Sequence, residues 1–477
     1  MNLSNNINSN INNNIDTNFI HEDTIAAIAS PLGVGGVGVI RVSGALALTI
    51  ATHILGKTPK TRHAHFCEFN DAAGIKIDEG LLIYFKAPHS FTGEDIVELQ
   101  GHGGVIVLQR VLKRVLELGA KPARAGEFSE RAFFNGKLDL VQAEAIHDLI
   151  NSQSEAQAKA AMASLSGLFS EKVHNIFDQL TNLRVYVEAC IDFSDEDIDF
   201  IEQGDVRNKI SATIISVTNL LANAQQGKIL RDGMNIVLAG RPNAGKSSLL
   251  NALAGTQTAI VTAIAGTTRD ILKERIEIDG LPLNIIDTAG IRESDNIIES
   301  EGIKRALQAM QDADLVLWLH DDQAPAPLSD LEDLGIAHLD KIIVFNKIDL
   351  TKRPAGIIEP KQLIDNNNNN NIIYHESMIA ICAKYHQGLD DLKILIKQKI
   401  GFKPQESIFS ARVRHLDALM LVLAHLNLAL ELVTLGHSIE IIAEELRLAQ
   451  NNLAEITGKF SADMLLGEIF GSFCIGK

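Results

Sequence analysis

The stretch Gly240-Arg-Pro-Asn-Ala-Gly-Lys-Ser247 decides the fold of the centre of the chain. It fits the pattern GxxxxGK(S/T) and lies between a strand-like run, NIVLA, and a helix-like run, SSLLNALAG. In that setting glycines let backbone N–H groups wrap phosphates, Lys246 neutralises the β and γ oxygens, and the Ser247 hydroxyl reaches Mg²⁺. A merely structural turn gives no packing reason for lysine and serine here, so the stretch predicts a nucleoside triphosphate site.

Two motifs further along predict the metal and base contacts of the same site. Asp287-Thr-Ala-Gly290 ends the strand-like run LNII, where a carboxylate can hold a magnesium-bound water and the Gly290 N–H can sense the γ-phosphate. Asn346-Lys-Ile-Asp349 ends KIIVF, and the Asp349 carboxylate can accept hydrogen bonds from N1–H and the 2-amino group of guanine. Adenine lacks these donors, so the pair of motifs predicts GTP as the nucleotide.

The segments around these motifs depart in places from common GTPase patterns. Within Gly266-Thr-Thr-Arg-Asp270 we expect Thr268 to bind magnesium, with Thr267 the next candidate. Cys382-Ala-Lys384 stands where the base-contacting segment usually reads SAK, a change that is tolerable if backbone N–H groups make the contacts. Ile291 follows the DTAG motif and cannot polarise water, so hydrolysis needs another group. The acidic residues downstream offer candidates, although for each one a solvated helix face is the alternative: Glu293, Asp295, Glu299 and Glu301.

The length of the chain predicts several domains, since 477 residues are too many for one hydrophobic core. Strand-like and helical runs alternate between Met234 and Ile400, which predicts a parallel sheet with crossover helices. The flanking stretches have helical apolar spacing, so we expect this α/β domain to be inserted into a helical domain whose two halves pack together. The predicted boundaries are 1–20 (a disordered Asn-rich tail), 21–137 (α+β), 138–232 (helical, first half), 233–400 (α/β) and 401–477 (helical, second half).

Composition limits the partners and the compartment. The formal net charge of −17 argues against a broad basic face, so any RNA contact should be local or shared with a partner. No apolar run reaches the roughly 18 to 20 residues of a membrane span, so no transmembrane helix and no membrane partner are expected, and the first residues lack a secretory pattern. The cysteines are far apart, which favours reduced thiols in a cytosol and disfavours zinc: Cys67, Cys190, Cys382 and Cys474. A second Asn run, Asn366 to Asn371, is expected to be a solvated loop.

The combination of motifs resembles one family, the MnmE (TrmE) GTPases that modify the wobble uridine of tRNA. The resemblance rests on GRPNAGKSSLLNALAG, IVTAIAGTTRD, DTAGIRE, SFTGEDIVELQGHGG, GEFSERAF and FCIGK, and covers nearly the whole chain apart from the two Asn-rich stretches. It implies a folate-binding-like α+β N-terminal domain, a discontinuous helical domain and an inserted Ras-like P-loop GTPase domain. The three-domain order expected from the pattern of strand-like and helical runs is also that of the family.

The resemblance implies how the GTPase domain works. Domains of this family are held to dimerise across the nucleotide and to use potassium where other GTPases use an arginine finger. The matching positions are Asn243 by its side chain, with Thr262, Ile264 and Thr267 in the following loop. The water-orienting acid of the family falls on Glu299, and Ala263 replaces a residue that is commonly acidic. The full set of expected nucleotide contacts is Asn243, Ala244, Gly245, Lys246, Ser247, Ser248, Thr262, Ala263, Ile264, Ala265, Gly266, Thr267, Thr268, Asp287, Thr288, Ala289, Gly290, Asn346, Lys347, Asp349, Cys382, Ala383 and Lys384.

The resemblance also implies a second site in the N-terminal domain. That site would hold a tetrahydrofolate derivative, 5-formyl or 5,10-methylene, as one-carbon donor. The matching positions are Arg41, Glu98, Lys137 and Lys477. Cys474 in Cys-Ile-Gly-Lys477 is poorly explained as a prenylation site and is expected to be catalytic, with a buried thiol at a helix end as the alternative.

The expected activity is therefore GTP hydrolysis coupled to one-carbon transfer onto C5 of the wobble uridine of certain tRNAs. The product would carry a carboxymethylaminomethyl or aminomethyl group. The family works as a homodimer and in a heterotetramer with the flavin-dependent MnmG, so FAD belongs to the partner, and the cytoplasm is the expected compartment. Two alternatives remain: a ribosome-assembly GTPase that modifies nothing, and a folate-binding regulator that only senses nucleotide.

Overall fold

A computed structural model describes residues 23–192, 205–255, 273–287, 311–325, 335, 338–359, 363–364, 371–372, 377–403, 408–459 and 463–476. The chain forms two compact units. The first contains Met1–His147, Ser164–Ile214 and Leu421–Lys477, and the second contains Asp148–Ala163 and Ile215–Met420. The Asn-rich stretch 1–20 lies outside the described residues.

A six-stranded sheet forms the N-terminal part of the first unit, in the order β3-β4-β5-β2-β1-β6. Neighbouring strands are antiparallel except for β1 and β6. Its strands are β1 Ile25–Ile28, β2 Gly38–Ser43, β3 His65–Asn70, β4 Lys76–Phe85, β5 Ile96–Gly101 and β6 Lys121–Pro122. Its helices are α1 Ala47–Leu55, α2 Val105–Glu117 and α3 Glu127–Phe134.

Alternation along the strands decides which face of this sheet is apolar. In β2, Ile40 and Val42 are buried in a core shared with α1 and α2, while Arg41 points to the other face because successive side chains of a strand alternate. Val97 and Leu99 do the same in β5 and leave Glu98 beside Arg41. The sequence pattern therefore places a cation and an anion together on the face away from this core.

Long helices follow the sheet domain in the sequence and return at the end of the chain. They are α4 Leu140–Asn151, α5 Glu155–Leu165, α6 Leu168–Asp192, α7 Val206–Asp232, α11 Val413–Leu435, α12 Ile439–Thr457 and α13 Asp463–Gly471. In the first unit α6 packs along α12, where buried Gln450 donates to Thr181 Oγ1 at 2.6 Å and accepts from Arg184 at 2.5 Å. Helices from both sides of the α/β domain therefore share one interface.

The α/β domain lies in the second unit and is built on a seven-stranded sheet, in the order β12-β15-β11-β10-β7-β9-β8. Its strands are β7 Met234–Gly240, β8 Lys273–Ile278, β9 Leu281–Asp287, β10 Leu315–Asp321, β11 Lys341–Asn346, β12 Gly356–Ile358 and β15 Ser377–Ala380. A small ribbon pairs β13 Leu363–Ile364 with β14 Asn371–Ile372. The described helices are α8 Lys246–Ala254, α9 Ile348–Thr351 and α10 Leu389–Ile400, with a 3₁₀ turn at Ala383–Tyr385.

The five central strands of this sheet are parallel, and only the edge strands β8 and β12 are antiparallel. Parallel strands place all their carboxyl ends at one edge, which is where ligands bind in open α/β sheets. The motifs at 240–247, 287–290, 346–349 and 382–384 each follow or end such a strand. The architecture confirms the predicted fold class, with an α+β N-terminal domain, helices from two parts of the chain and an inserted P-loop α/β domain.

Two smaller expectations need correction or restriction. Asn371 lies in β14, paired opposite Ile364, so the second Asn run is not entirely loop, and 365–370 lie outside the described residues. Among the described residues α11 is long and apolar enough, by length and composition, to cross a membrane. The sequence does not show this helix as a long apolar run, because three polar residues interrupt it: His425, Asn427 and Glu431. Length and composition alone assign the helix no environment.

Candidate functional site

The loop between β7 and α8 has the backbone shape of a phosphate cradle. Gly245 adopts φ +96° at the start of α8, and a Cβ there would lie 2.3 Å from Asn346 Nδ2, so only glycine fits. The Lys246 ammonium donates to the carbonyl oxygens of Gly240 at 2.8 Å and Arg241 at 3.2 Å. The lysine is therefore held over the loop, as its predicted role on phosphate oxygens requires.

The other predicted residues of this loop face outward or support it. Asn243 is exposed and adopts φ +65°, a left-handed conformation that asparagine tolerates better than most residues. Ser247 and Ser248 are exposed in the first turn of α8, while Ala244 is buried beneath the loop. The Ser247 hydroxyl is thus open to a hard cation that prefers oxygen ligands.

Asn346 connects the phosphate loop to the base-recognition segment. Its side chain is buried, its Nδ2 donates to the Ala244 carbonyl at 2.9 Å, and its Oδ1 accepts from the Ala383 N–H at 3.1 Å. Both contacts lie inside the second unit. Because one carboxamide satisfies both partners, the two segments keep a fixed separation.

Lys347 lies beside Asn346 and pairs with the end of the neighbouring strand. Its Nζ is 2.8 Å from Asp321 Oδ2, and the hydrogen bond from Lys347 lowers the pKa of Asp321 below its ordinary 3.8. Asp321 lies opposite Asn346 in the pairing of β10 with β11. The ion pair therefore supports the first two residues of the NKID motif from the adjacent strand.

The guanine-specific carboxylate has a neighbour that was not expected. The Cys382 thiol lies 3.1 Å from Asp349 Oδ1, and Cys382 is buried whereas Asp349 is exposed. Burial raises the pKa of the Cys382 thiol, and the contact with Asp349 raises it further. Lys384 is exposed next to this pair, with its Nζ 5.0 Å from the Tyr385 ring centroid. The departure from serine thus places a protonated thiol against the base-reading residue.

Part of the predicted site lies outside the described residues. Asp287 ends β9, where its Cα lies opposite Leu238 of β7. Among the described residues, no group of three or more His, Cys, Asp or Glu side chains could hold a metal ion. The predicted residues outside the description are Thr262, Ala263, Ile264, Ala265, Gly266, Thr267, Thr268, Thr288, Ala289, Gly290, Glu299 and Lys477.

In the first unit the structure brings Arg41 and Glu98 together. The guanidinium contacts Glu98 Oε1 through Nε at 3.1 Å and NH2 at 2.9 Å, with the two side chains 22% and 17% exposed. Arg41 Cζ also lies 5.5 Å from the Phe91 ring centroid and 5.8 Å from that of Phe128. Lys137 instead donates to the Pro88 carbonyl at 3.0 Å and braces the loop that carries Phe91.

The described end of the chain lies against this N-terminal domain. Ile475 forms a bridge with Ala125, and the Gly126 N–H donates to the Cys474 carbonyl at 3.4 Å. A Cβ on Gly476 would lie 2.4 Å from the Ile28 carbonyl oxygen, so the tail packs closely. The Cys474 thiol is exposed, and the alternative of a buried structural thiol is therefore wrong.

Three charged residues that received no role in the sequence form a cluster around a buried arginine near this site. Arg131 is 1% exposed and pairs with Glu127 at 3.0 Å and with Glu94 at 3.1 Å. Glu127 also accepts the Arg124 N–H at 2.8 Å. The only available signal was Glu-x-x-x-Arg at helical spacing in GEFSERAF, which also fits a surface pair.

Comparison with known proteins agrees with this geometry. Residues 140–474 match the family model described as the MnmE helical domain, and residues 24–137 match that of the GTP-binding protein TrmE N-terminus. The tRNA modification GTPase MnmE of Acinetobacter baylyi is 50% identical over 96% of this chain and 97% of its own length. The protein of the same name from Shewanella frigidimarina is 50% identical over 95% and 99%. The chain therefore belongs to the MnmE family of tRNA modification GTPases.

Proposed function

We propose that the chain binds and hydrolyses GTP as part of a tRNA modification. The observation that carries the proposal is the Asn346 carboxamide, which joins the Ala244 carbonyl of the phosphate loop to the Ala383 N–H of the base segment. A nucleotide bound at both ends needs this fixed spacing. The exposed Asp349 carboxylate beside it favours guanine, because guanine offers two donors on one edge.

Catalysis at this site is mainly positioning and charge stabilisation. Lys246, held by Gly240 and Arg241, supplies a fixed positive charge to the phosphate oxygens. Ser247 fits magnesium, with Thr268 as the second proposed protein ligand and Asp287 holding its water. Magnesium, when bound with the nucleotide, neutralises charge on the β and γ oxygens.

A second charge at the phosphates would come from potassium held across a homodimer of GTPase domains. Asn243 supports this assignment, since its exposed side chain lies on the phosphate loop. Thr262, Ile264 and Thr267 complete the proposed ligand set, and Glu299 is the proposed water-orienting acid. A monovalent cation there stabilises the charge that develops as the bond breaks, as an arginine finger does elsewhere.

The potassium proposal is tested by measuring GTP hydrolysis in KCl and in NaCl at equal ionic strength. We expect much faster hydrolysis in KCl and a strong loss in Glu299→Ala. Equal rates in the two salts would remove the potassium assignment, and an active Glu299→Ala would remove the acid.

The N-terminal site is proposed to hold 5-formyl or 5,10-methylene tetrahydrofolate. A carboxylate can pair with an aminopyrimidine edge, and Arg or Lys suits glutamyl carboxylates. Among the described residues, the donor to Glu98 Oε2 is Gln100 Nε2 at a long 3.3 Å, so this oxygen has capacity for a stronger donor. Lys137 and Lys477 are the proposed partners of the folate tail, and Phe91 and Phe128 provide apolar walls next to Arg41.

The proposed reaction transfers the one-carbon unit to C5 of the wobble uridine, position 34, of certain tRNAs. The transferred carbon would become the methylene on C5, and an amine co-substrate, an amino acid or ammonia, would supply the rest of the carboxymethylaminomethyl or aminomethyl group. A 5-formyl donor would also need a two-electron reduction by the flavin of the proposed partner. The partner MnmG would carry FAD and form a heterotetramer with a homodimer of this chain in the cytoplasm. Cys474 is the proposed catalytic thiol, and its exposure at the described end of the chain leaves it accessible.

Nucleoside analysis of tRNA tests this function directly. Cells that lack the chain should lose the C5 modification, the natural chain should restore it, and Lys246→Ala should not. A ribosome-assembly GTPase or a nucleotide-sensing folate regulator would leave the wobble nucleoside unchanged, so an intact modification in the deletion would overturn the proposal.

A further inference from the structure

We propose that Cys382 is a positioning residue for guanine recognition, because its thiol donates a hydrogen bond that fixes the direction of the Asp349 carboxylate. The inference rests on the proposed binding of GTP at this site and adds a role for the Cys382 side chain to the backbone contacts expected of this segment. The expected consequence is stronger discrimination of guanine from hypoxanthine, the base that lacks the 2-amino group.

The direction of the thiol is set by the backbone around it. The Cys382 N–H donates to the Gln387 carbonyl at 3.0 Å, and the Gln387 N–H donates back to the Cys382 carbonyl at 3.1 Å. The same carbonyl accepts the Tyr385 N–H at 3.2 Å. This closed turn follows β15 directly, and Cys382 is 1% exposed. The sulfur therefore has little freedom to move away from Asp349.

The chemistry of the pair defines donor and acceptor. A carboxylate accepts hydrogen bonds only, so the thiol must be the donor across the 3.1 Å contact between Sγ and Oδ1. The raised pKa of Cys382 keeps the thiol protonated at neutral pH. A thiol is a weaker donor than a hydroxyl. Serine should therefore replace the cysteine well, whereas alanine leaves Asp349 without this restraint.

Orientation matters more for two hydrogen bonds than for one. Guanine presents N1–H and the 2-amino group to the carboxylate, and both bonds require the carboxylate plane to match the base edge. Hypoxanthine presents N1–H alone and tolerates a rotated carboxylate. Loss of the thiol should thus weaken GTP more than inosine triphosphate.

The experiment measures affinity for GTP and for inosine triphosphate by competition against a fluorescent guanine nucleotide. In Cys382→Ala we expect GTP affinity to fall by about three- to tenfold, in line with the net contribution of one ordinary hydrogen bond from a weak donor, and the ratio of GTP to inosine triphosphate affinity to fall with it. Cys382→Ser should keep both values. An equal loss for the two nucleotides leaves the affinity ratio unchanged. That result would show that Cys382 is merely structural and would overturn the proposal.

Two further variants keep the result interpretable. If Cys382→Ala does not fold, Cys382→Val fills the buried volume without a donor and should give the same fall in the ratio. Asp349→Asn should move the preference from GTP to xanthosine triphosphate. If it does so while the Cys382 variants leave the ratio unchanged, only the positioning role fails. If Asp349→Asn leaves the preference for GTP unchanged, the proposed guanine contact itself is wrong.

Discussion

Asn346 connects two binding segments through a single buried carboxamide. Its substitution by alanine would leave the Ala244 carbonyl and the Ala383 N–H without this partner, at a cost of about 1 to 3 kcal/mol for each buried group. We expect Asn346→Ala to lower the thermal midpoint and to weaken GTP binding by at least tenfold. Calorimetric unfolding and nucleotide titration measure the two effects.

The matched control for this prediction is Asn251→Ala. Asn251 is exposed in α8, so the same chemical change there should alter neither value. Asn346→Asp keeps the acceptor for Ala383 but removes the donor to Ala244, and we expect a larger loss than for Asn346→Ala because it buries a charge next to a carbonyl oxygen. Normal GTP affinity in Asn346→Ala would contradict the role as a connector.

His102 and Asp78 form an exposed pair at the end of β5, with Nδ1 and Oδ1 2.7 Å apart. The hydrogen bond that the His102 ring donates to the Asp78 carboxylate raises the pKa of His102 above 6.5. Burial alone would raise the pKa of Asp78, but its hydrogen bonds with His102 outweigh this and lower it below 3.8. Because the pKa of His102 is raised in the folded chain, the contribution of this pair to the free energy of unfolding is complete below pH 6.5. It is lost as the pH rises through the pKa that His102 has in the folded chain.

At acidic pH the same pair has the opposite pH dependence. The lowered pKa of Asp78 gives a stabilisation that is present above pH 3.8 and is lost as the pH falls below it. An NMR titration of the His102 ring should therefore give a midpoint above 6.5. The variant Asp78→Asn should return the midpoint toward the ordinary value, and His102→Gln assigns the resonance among the 15 histidines. A midpoint at or below 6.5 in the natural chain would refute the assignment.

At the scale of elements, Arg131 fastens α3 to the loop that precedes β5. The guanidinium contacts Glu127 in its own helix and Glu94 in the loop. Removing one partner of a buried ion pair typically costs about 3 to 5 kcal/mol, because the remaining charge stays buried. We expect Arg131→Met to destabilise the chain by about this amount in urea unfolding followed by circular dichroism.

Arg124→Met is the appropriate comparison for Arg131→Met. The Arg124 side chain is 62% exposed and pairs with Glu130 at 2.7 Å and with Glu127 at 3.6 Å, so its loss should cost less than about 1 kcal/mol. Phe128 lies in the same helix and contacts Arg41, so Arg131→Met should also weaken the proposed binding of a tetrahydrofolate. Similar unfolding curves for the two methionine variants would show that the buried pair contributes little.

At the scale of the whole molecule, local chemistry was easier to predict than contacts between distant segments. The phosphate loop could be predicted because its glycine and lysine spacing is fixed by one turn between β7 and α8. The Cys382 contact with Asp349 could not, since it depends on how β11 and β15 align. Arg41 and Glu98 were assigned to one site only through the family resemblance, without their ion pair, and Arg131 was missed because burial is not visible in a short charged motif.

The net charge of −17 leads to a prediction about how the whole chain binds tRNA. Phosphate contacts release counterions, so the dependence of affinity on salt counts the cationic groups that engage the RNA. If the proposed partner makes many of the phosphate contacts, the affinity of this chain alone for tRNA should depend only weakly on salt. The logarithm of that affinity should then fall with a shallow slope against the logarithm of the salt concentration. Adding the partner should steepen the slope at the same tRNA. Filter binding across a KCl series measures both slopes, and a slope that is already steep for the chain alone would locate the RNA contacts on its own surface.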